Sequence, residues 1–170
     1  MICPSCGWVN IPGNEECVNC QQDLTPLDRP MASNCVERSL MEDDVAHLHP
    51  KKAISIRPTT TLHSAMQAML ACEIGTLLVT DEQGKLVGIL SERDLLTKVA
   101  GLHDSYAQLP VSDFMTPGPE TVETDDPLNF ALHKMDGGGY RHLPVMTEGM
   151  PRGVVSVRDM LRHIVKLCKT

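Results

Sequence analysis

The sequence predicts an α+β protein built on a duplicated β-α-β-β-α unit, with a small metal-folded segment ahead of it. Three observations carry this reading. Apolar and turn residues recur at a spacing of 66 positions, each copy alternates between strand and helix periodicity, and four of seven cysteines fall within the first 20 residues. A chain of 170 residues has room for one modest domain and such an appendage.

Composition excludes several classes of function. Hydrophobic residues make up 42% and charged residues 22%, close to the globular average, so a mainly disordered chain is not expected. No apolar run approaches the roughly 18 residues of a membrane helix. Fifteen Lys and Arg against 22 Asp and Glu give a net charge of −7, so the chain as a whole repels nucleic acid and anionic lipid, and any anion must be captured locally. The opening MICPSCGW shows no basic stretch followed by an apolar one, so the cytoplasm is the expected compartment.

Cys3, Cys6, Cys17 and Cys20 form two Cys-x2-Cys knuckles separated by ten residues. This spacing predicts a tetrahedral thiolate zinc site, structural because four thiolates leave no open position for a substrate. Gly7 and Gly13 permit the sharp turns that the knuckles need. A segment this short gains its folding free energy from the metal. The words CPSCGWVN and ECVNCQQDL resemble the zinc-ribbon family, with Gln21 standing where a glycine usually follows the second knuckle. Residues 1–24 are read as this ribbon and 25–44 as a linker marked by Pro26 and Pro30, with one short helical turn around Val36 to Met41 and a free thiol at Cys35.

The repeat occupies 45–110 and 111–170. Val45 aligns with Val111, Leu48 with Phe114, Leu62 with Leu128, Ala65 with Ala131 and Met69 with Met135, and the endings GILSERDLL and GVVSVRDML nearly coincide. Leu62, Ala65, Met66, Met69 and Leu70 recur at helical spacing behind Thr60 and Thr61, good N-cap residues. Thr76 to Thr80 and Leu86 to Leu90 flank Asp81-Glu82-Gln83-Gly84 as a hairpin, and Ser91 caps a second helix with apolar positions Leu95, Leu96 and Val99. The second copy follows through Leu128 to Met135, Leu143 to Met146, Arg152 to Val155 and Met160 to Cys168. One copy leaves a sheet face uncovered, and packing the two together buries both. Cys72 and Cys168 are expected in the core.

The repeat resembles a tandem pair of cystathionine-β-synthase (CBS) domains, a Bateman module. The words VSDFMT, YRHLPV and the paired Gly-x-x-Ser-x-Arg-Asp endings carry the resemblance. It implies a pseudo-twofold pair with two clefts between the copies, in which many members bind AMP, ADP, ATP or an S-adenosylmethionine-like compound. By the same resemblance, Asp94 and Asp159 accept hydrogen bonds from ribose hydroxyls, Ser91 and Ser156 stand one turn earlier, and a threonine with neighbouring backbone receives the base. Ser-x-x-Asp is equally a helix capping box, and both readings stay open at this stage.

The clefts are expected to differ. Arg141 and His142 precede a strand where relatives bring basic groups to phosphate, Arg158 is a third candidate, and the matching residues in the first copy are Gly75 and Thr76. Arg141 pairing with a surface acid is the alternative. By the resemblance, the cleft of Asp94 gains Thr116, whereas that of Asp159 gains His49, Pro50 and the Lys51 to Ile54 stretch, which lacks that threonine. The expectation is a phosphorylated adenosine compound beside Asp159 and an empty, weaker or neutral-ligand site beside Asp94. With only 3% aromatic residues the base is expected between aliphatic side chains such as Ile54, Val145 and Val155. Gly137-Gly138-Gly139 follows a helix and lacks a phosphate loop's lysine, so a left-handed helix cap is expected there.

No nucleophile elbow, dinucleotide fingerprint or His-Glu-x-x-His word is present, so the expectation is a ligand sensor and not an enzyme. It would signal to an unidentified protein partner and associate as a homodimer, as CBS pairs commonly do. The alternative is a zinc-ribbon adaptor in transcription or protein assembly, with the repeat pair as a dimerising scaffold. Arg29 is the one basic residue in the first 30, which disfavours direct nucleic-acid binding.

Overall fold

A computed structural model of the chain describes residues 2–11, 13–24, 32–99 and 106–169. The Pro26 and Pro30 part of the expected linker lies outside the described residues. The chain forms two compact units, 1–34 and 35–170.

In the first unit the two knuckles are near copies of each other. Gly7 N–H donates to the Cys3 carbonyl at 2.9 Å, and Gln21 N–H donates to the Cys17 carbonyl at 2.8 Å. Both donors sit in the left-handed region, Gly7 at φ 73° and Gln21 at φ 59°, so the residue that departs from the ribbon pattern carries the strain a glycine would avoid. Among the described residues of this unit, Cys3, Cys17 and Leu24 form the buried apolar cluster.

The second unit is built on two four-stranded sheets. Strands β2 (Ser55–Ile56), β3 (Thr76–Thr80), β4 (Leu86–Ser91) and β5 (Thr116–Pro117) form one, in that order. Strands β1 (Lys51–Lys52), β8 (Met150–Ser156), β7 (His142–Thr147) and β6 (Val122–Glu123) form the other. In each, a parallel pair is followed by the antiparallel hairpin that the sequence predicts, β2 on β3 and β6 on β7 being the parallel pairs.

The leading strands are exchanged. β1 belongs to the first repeat in sequence but pairs with β8, Lys52 opposite Gly153, while β5 of the second repeat pairs with β4, Pro117 opposite Gly88. The repeat-equivalent glycines make room for these crossings. A Cβ on Gly153 would lie 2.9 Å from Pro50 Cβ and 3.0 Å from the Lys51 carbonyl oxygen, and one on Gly88 would meet Met115 Sδ at 2.4 Å. The cores are exchanged with the strands: Val45 and Leu48 are buried among Leu128, Ala131, Met135 and Leu143, whereas Val111 and Phe114 are buried among Leu62, Ala65, Met69 and Leu77.

Helix α2 (Leu62–Cys72) is capped by Thr61, whose side chain accepts from Ser64 N–H at 3.3 Å. It buries Leu62, Ala65 and Met69. Leu70, expected in that stripe, is 80% exposed: at about 100° per residue it follows Met69 around the helix and faces away. The second helix of the first repeat is interrupted: α3 (Glu92–Asp94) runs into a π-type turn over Leu95–Val99, where Leu95 and Val99 pack on the core and Leu96 is 74% exposed, against expectation. Its counterparts in the second repeat are α4 (Leu128–Gly138), matching α2, and α5 (Val157–Leu167), matching α3. Gly139 ends α4 at φ 64°, as the triple glycine predicts.

Cys35–Glu42 form a full helix, α1, longer than the single turn expected and lying within the second unit. Its buried Ser39 donates to the Asp43 carboxylate and lies 2.7 Å from His163 Nε2 on α5, which joins this segment to the second repeat. Cys72 and Cys168 are exposed, contrary to expectation, because each stands at the end of its helix, past the last residue that packs on a sheet. The Cys35 thiol is exposed and lies 3.8 Å from the Leu167 carbonyl oxygen.

Candidate functional site

Two clefts open between the repeats. The first, about 480 Å³, includes Ser91, Asp94, Leu96 and Thr116 in its wall. The second, about 760 Å³, includes Ile54, Thr76, Ser156, Arg158, Asp159 and Arg162. Pseudo-symmetry in the chain therefore becomes pseudo-symmetry of sites.

Each aspartate is held by a reciprocal capping box. Ser91 N–H and Oγ donate to Asp94 Oδ2 at 2.9 and 2.5 Å, and Asp94 N–H donates back to Ser91 Oγ at 3.3 Å. Ser156 and Asp159 repeat the same three bonds at 2.9, 2.5 and 3.3 Å. The serine hydroxyl hydrogens are thus spent on their own aspartates, which gives both serines a capping role. The other carboxylate oxygens differ. Asp94 Oδ1 accepts from Lys98 at 2.9 Å and from Thr116 at 3.2 Å, whereas Asp159 Oδ1 accepts from Arg162 alone, at 2.8 Å, among the described residues. A carboxylate oxygen takes about two hydrogen bonds, so Asp159 keeps acceptor capacity and Asp94 does not.

Burial alone would raise the Asp94 carboxyl, but the bonds from Ser91 and the charge of Lys98 outweigh it and hold the group below its ordinary value. Burial pushes His142 below its ordinary value; the carboxylates of Glu92 and Asp159 offset this only in part, and Arg141 and Arg158 add to it. The surroundings of His142 thus favour the neutral imidazole.

Charge separates the clefts. The Asp159 cleft sets Lys51, Lys52, Arg141, Arg158 and Arg162 against Glu73, Glu92, Asp136 and Asp159. The Asp94 cleft sets Arg93 and Arg141 against Glu92, Asp94 and Glu120. Arg141 and His142 line both, not the Asp159 cleft alone, because the segment from Gly139 to His142 that leads into β7 lies between them. Thr76 is buried in the wall of the Asp159 cleft, and its Oγ1 has no hydrogen-bond partner among the described residues.

Several expected contacts are placed elsewhere. Pro50 lies against Gly153 and is absent from both cleft walls, and Val145 and Val155 are fully within the core. Ile54, as expected, lines the Asp159 cleft, with Ile74, Val154, Val157 and Leu161 beside it, and Tyr140 lines both clefts. Sequence reasoning missed Tyr140, Arg162 and Glu92. Tyr140 had a signal, since it directly precedes Arg141, whereas the other two carry none beyond their positions on helices that start at the clefts.

The four amino-terminal cysteine sulfurs lie within 4.8 Å of one another, with Cys3 to Cys20 and Cys6 to Cys17 both at 3.6 Å. Sulfurs about 2.3 Å from one tetrahedral ion would lie about 3.8 Å apart, so the donor set fits a metal of that geometry. Asn10, buried, donates to Cys17 Sγ at 3.5 Å and accepts from Val18 N–H at 3.0 Å, orienting the second knuckle.

The architecture is that of a paired-repeat module, two exchanged β-α-β-β-α repeats around twin clefts. The sequence model of the CBS domain matches residues 38–101 and 111–166, and the chain belongs to the CBS-domain family. An uncharacterised 17.7 kDa protein of Acidianus ambivalens is 33% identical over 126 residues, 74% of this chain and 75% of that one. The CBS domain-containing protein CBSCBSPB5 of Arabidopsis thaliana is 40% identical over 108 residues, 64% of this chain, and the match spans 20% of the length of that relative. Among solved structures, a CBS-domain protein of Agrobacterium tumefaciens superposes with a TM-score of 0.67 at 29% identity, covering 71% of this chain and 98% of that one. The same fold occurs in CBSX2 in complex with AMP, at TM-score 0.62 and 23% identity, over 74% of this chain and 98% of that one. It occurs also in the CBS pair of MJ0100 in complex with 5′-methylthioadenosine and S-adenosyl-L-methionine, at TM-score 0.65 and 23% identity, over 72% and 96%.

Proposed function

We propose that this chain is a regulatory sensor of adenosine compounds, with no catalytic role, that binds a phosphorylated adenosine in the Asp159 cleft and passes the resulting change of shape to a protein partner. The observation that carries the reading is the unsaturated Asp159 Oδ1 at a cleft rich in basic groups. It can accept from one ribose hydroxyl while Arg141 and Arg158 meet phosphate. The orphaned Thr76 hydroxyl supplies one further polar contact, and complexes of AMP, 5′-methylthioadenosine and S-adenosyl-L-methionine with proteins of this fold support the ligand class. The Asp94 cleft, acidic in balance and with its carboxylate filled, is the weaker site or takes an uncharged adenosine. Zinc in the four-cysteine site and a reducing, cytoplasmic setting belong to the same reading, since the ligands must remain thiolates. So does a homodimer.

The test is thermal unfolding with AMP, ADP, ATP and S-adenosylmethionine, on the parent and on Asp159→Asn and Asp94→Asn. A ligand at 100 times its dissociation constant stabilises by about 2.7 kcal/mol. The response should be lost in Asp159→Asn and kept in Asp94→Asn; an undiminished response in the former overturns the assignment.

A second reading is favoured by the ribbon surface. Ile2, Trp8, Val9, Ile11 and Val18 are each more than half exposed, an apolar display suited to protein contact, as an adaptor would need. A nucleotide-independent complex abolished by Trp8→Ala, with no ligand response in the repeat pair, would establish it.

A further inference from the structure

The two clefts share one wall. Gly75, Glu92, Gly139, Tyr140, Arg141 and His142 line both of them. The positions on this wall are pseudo-equivalent but chemically opposed. The first repeat places Gly75 beside Glu92, whose N–H donates to the Gly75 carbonyl at 3.0 Å; the second places Arg141 beside Val157, whose N–H donates to the Arg141 carbonyl at 3.1 Å. Gly75 is open enough for the acid to lie over it: a Cβ there would come within 3.1 Å of Glu92 Oε2. The acid of one repeat and the base of the other thus face the same space, and each cleft reaches both.

Resting on the reading of the clefts as adenosine sites, we infer that through the shared wall an anionic ligand in one cleft weakens the binding of an anionic ligand in the other, a partial exclusion. One arginine supplies the cationic charge common to both, and once it is neutralised by a phosphate in the Asp159 cleft, a second phosphate in the Asp94 cleft meets Glu92, Asp94 and Glu120 with Arg93 as the one other cation lining it among the described residues. Glu92 is the residue that turns sharing into exclusion. A neutral adenosine places no charge at the wall, so its two binding events are independent. The coupling follows from charge and therefore weakens as salt rises.

Calorimetric titration of the intact, metal-loaded chain tests this, with AMP and with adenosine as probes. The parent should take one AMP well and a second at least tenfold more weakly, while adenosine fills both sites without that gap. Glu92→Gln should narrow the gap between the first and second AMP about tenfold, a larger change than it makes to adenosine, and Arg141→Gln should weaken AMP more than adenosine. Two equal, independent AMP sites in the parent, or an AMP gap untouched by Glu92→Gln, overturn the exclusion and leave the sensor reading intact. Absence of binding by both compounds overturns the two together.

Discussion

The Thr116 hydroxyl, on the strand that the second repeat lends to the first, donates to Asp94 Oδ1 at 3.2 Å, and Lys98 reaches the same oxygen at 2.9 Å. The carboxylate is thereby tied to the opposite repeat before any ligand arrives.

This tie has a pH signature. Asp94 titrates below its ordinary value in the folded chain, so its contribution to stability is present above the unfolded-state value of about 3.9 and is lost as pH falls through the folded value. Urea unfolding from pH 5 to pH 2.5 should show a steeper loss in the parent than in Asp94→Asn. Parallel curves would mean that the carboxylate contributes nothing.

His142 responds in a different window. Its folded value is depressed by burial, so stability is present above the unfolded value of about 6.5 and falls as the pH drops below it. His142→Gln should flatten stability between pH 7 and pH 5. Because phosphate favours the charged imidazole, AMP binding near pH 6.5 should take up protons in the parent beyond those taken up in His142→Gln, measured by titration in buffers of different ionisation heat.

The crossing glycines should be unequal. At Gly153 the obstacle is a proline Cβ and a backbone oxygen, which are rigid, whereas at Gly88 it is chiefly a methionine side chain, which can turn aside. Gly153→Ala is expected to cost about 1–3 kcal/mol by overpacking and Gly88→Ala distinctly less, by chemical denaturation.

Chelation should act on the amino-terminal unit alone. Removing metal should abolish the ordered backbone of residues 2–24, seen as lost amide dispersion, while the 35–169 unit melts unchanged. Gln21→Gly should hold metal more tightly against a chelator, by up to about 1 kcal/mol, because φ 59° costs glutamine what it does not cost glycine.

Much of the fold was legible because a duplicated pattern is seen twice. Leu62 and Leu128, Ala65 and Ala131, Met69 and Met135 reported the same buried face, and both hairpins lie where their apolar runs place them. Leu70 and Leu96 misled because an apolar residue beside a buried stripe looks like part of it, although a helix turns it outward. Cys72 and Cys168 misled for a related reason, since residue type says nothing about where the covering sheet stops. At the clefts, Asp94, Asp159, Thr116 and Arg141 could be named from motifs. Whether an aspartate retained a vacant lone pair depended on Lys98, Thr116 and Arg162, and that is decided by side-chain geometry. Sharing of Arg141 by both clefts depends on where the segment leading into β7 passes, which no linear spacing reveals.

The exchanged leading strands carry a mechanical consequence. A pull on Lys51 is felt by the sheet of the second repeat and a pull on Thr116 by that of the first, so neither half can relax while the other stays taut. The pair is yoked like two hands clasped at the fingers, so a load on either sheet is borne by both.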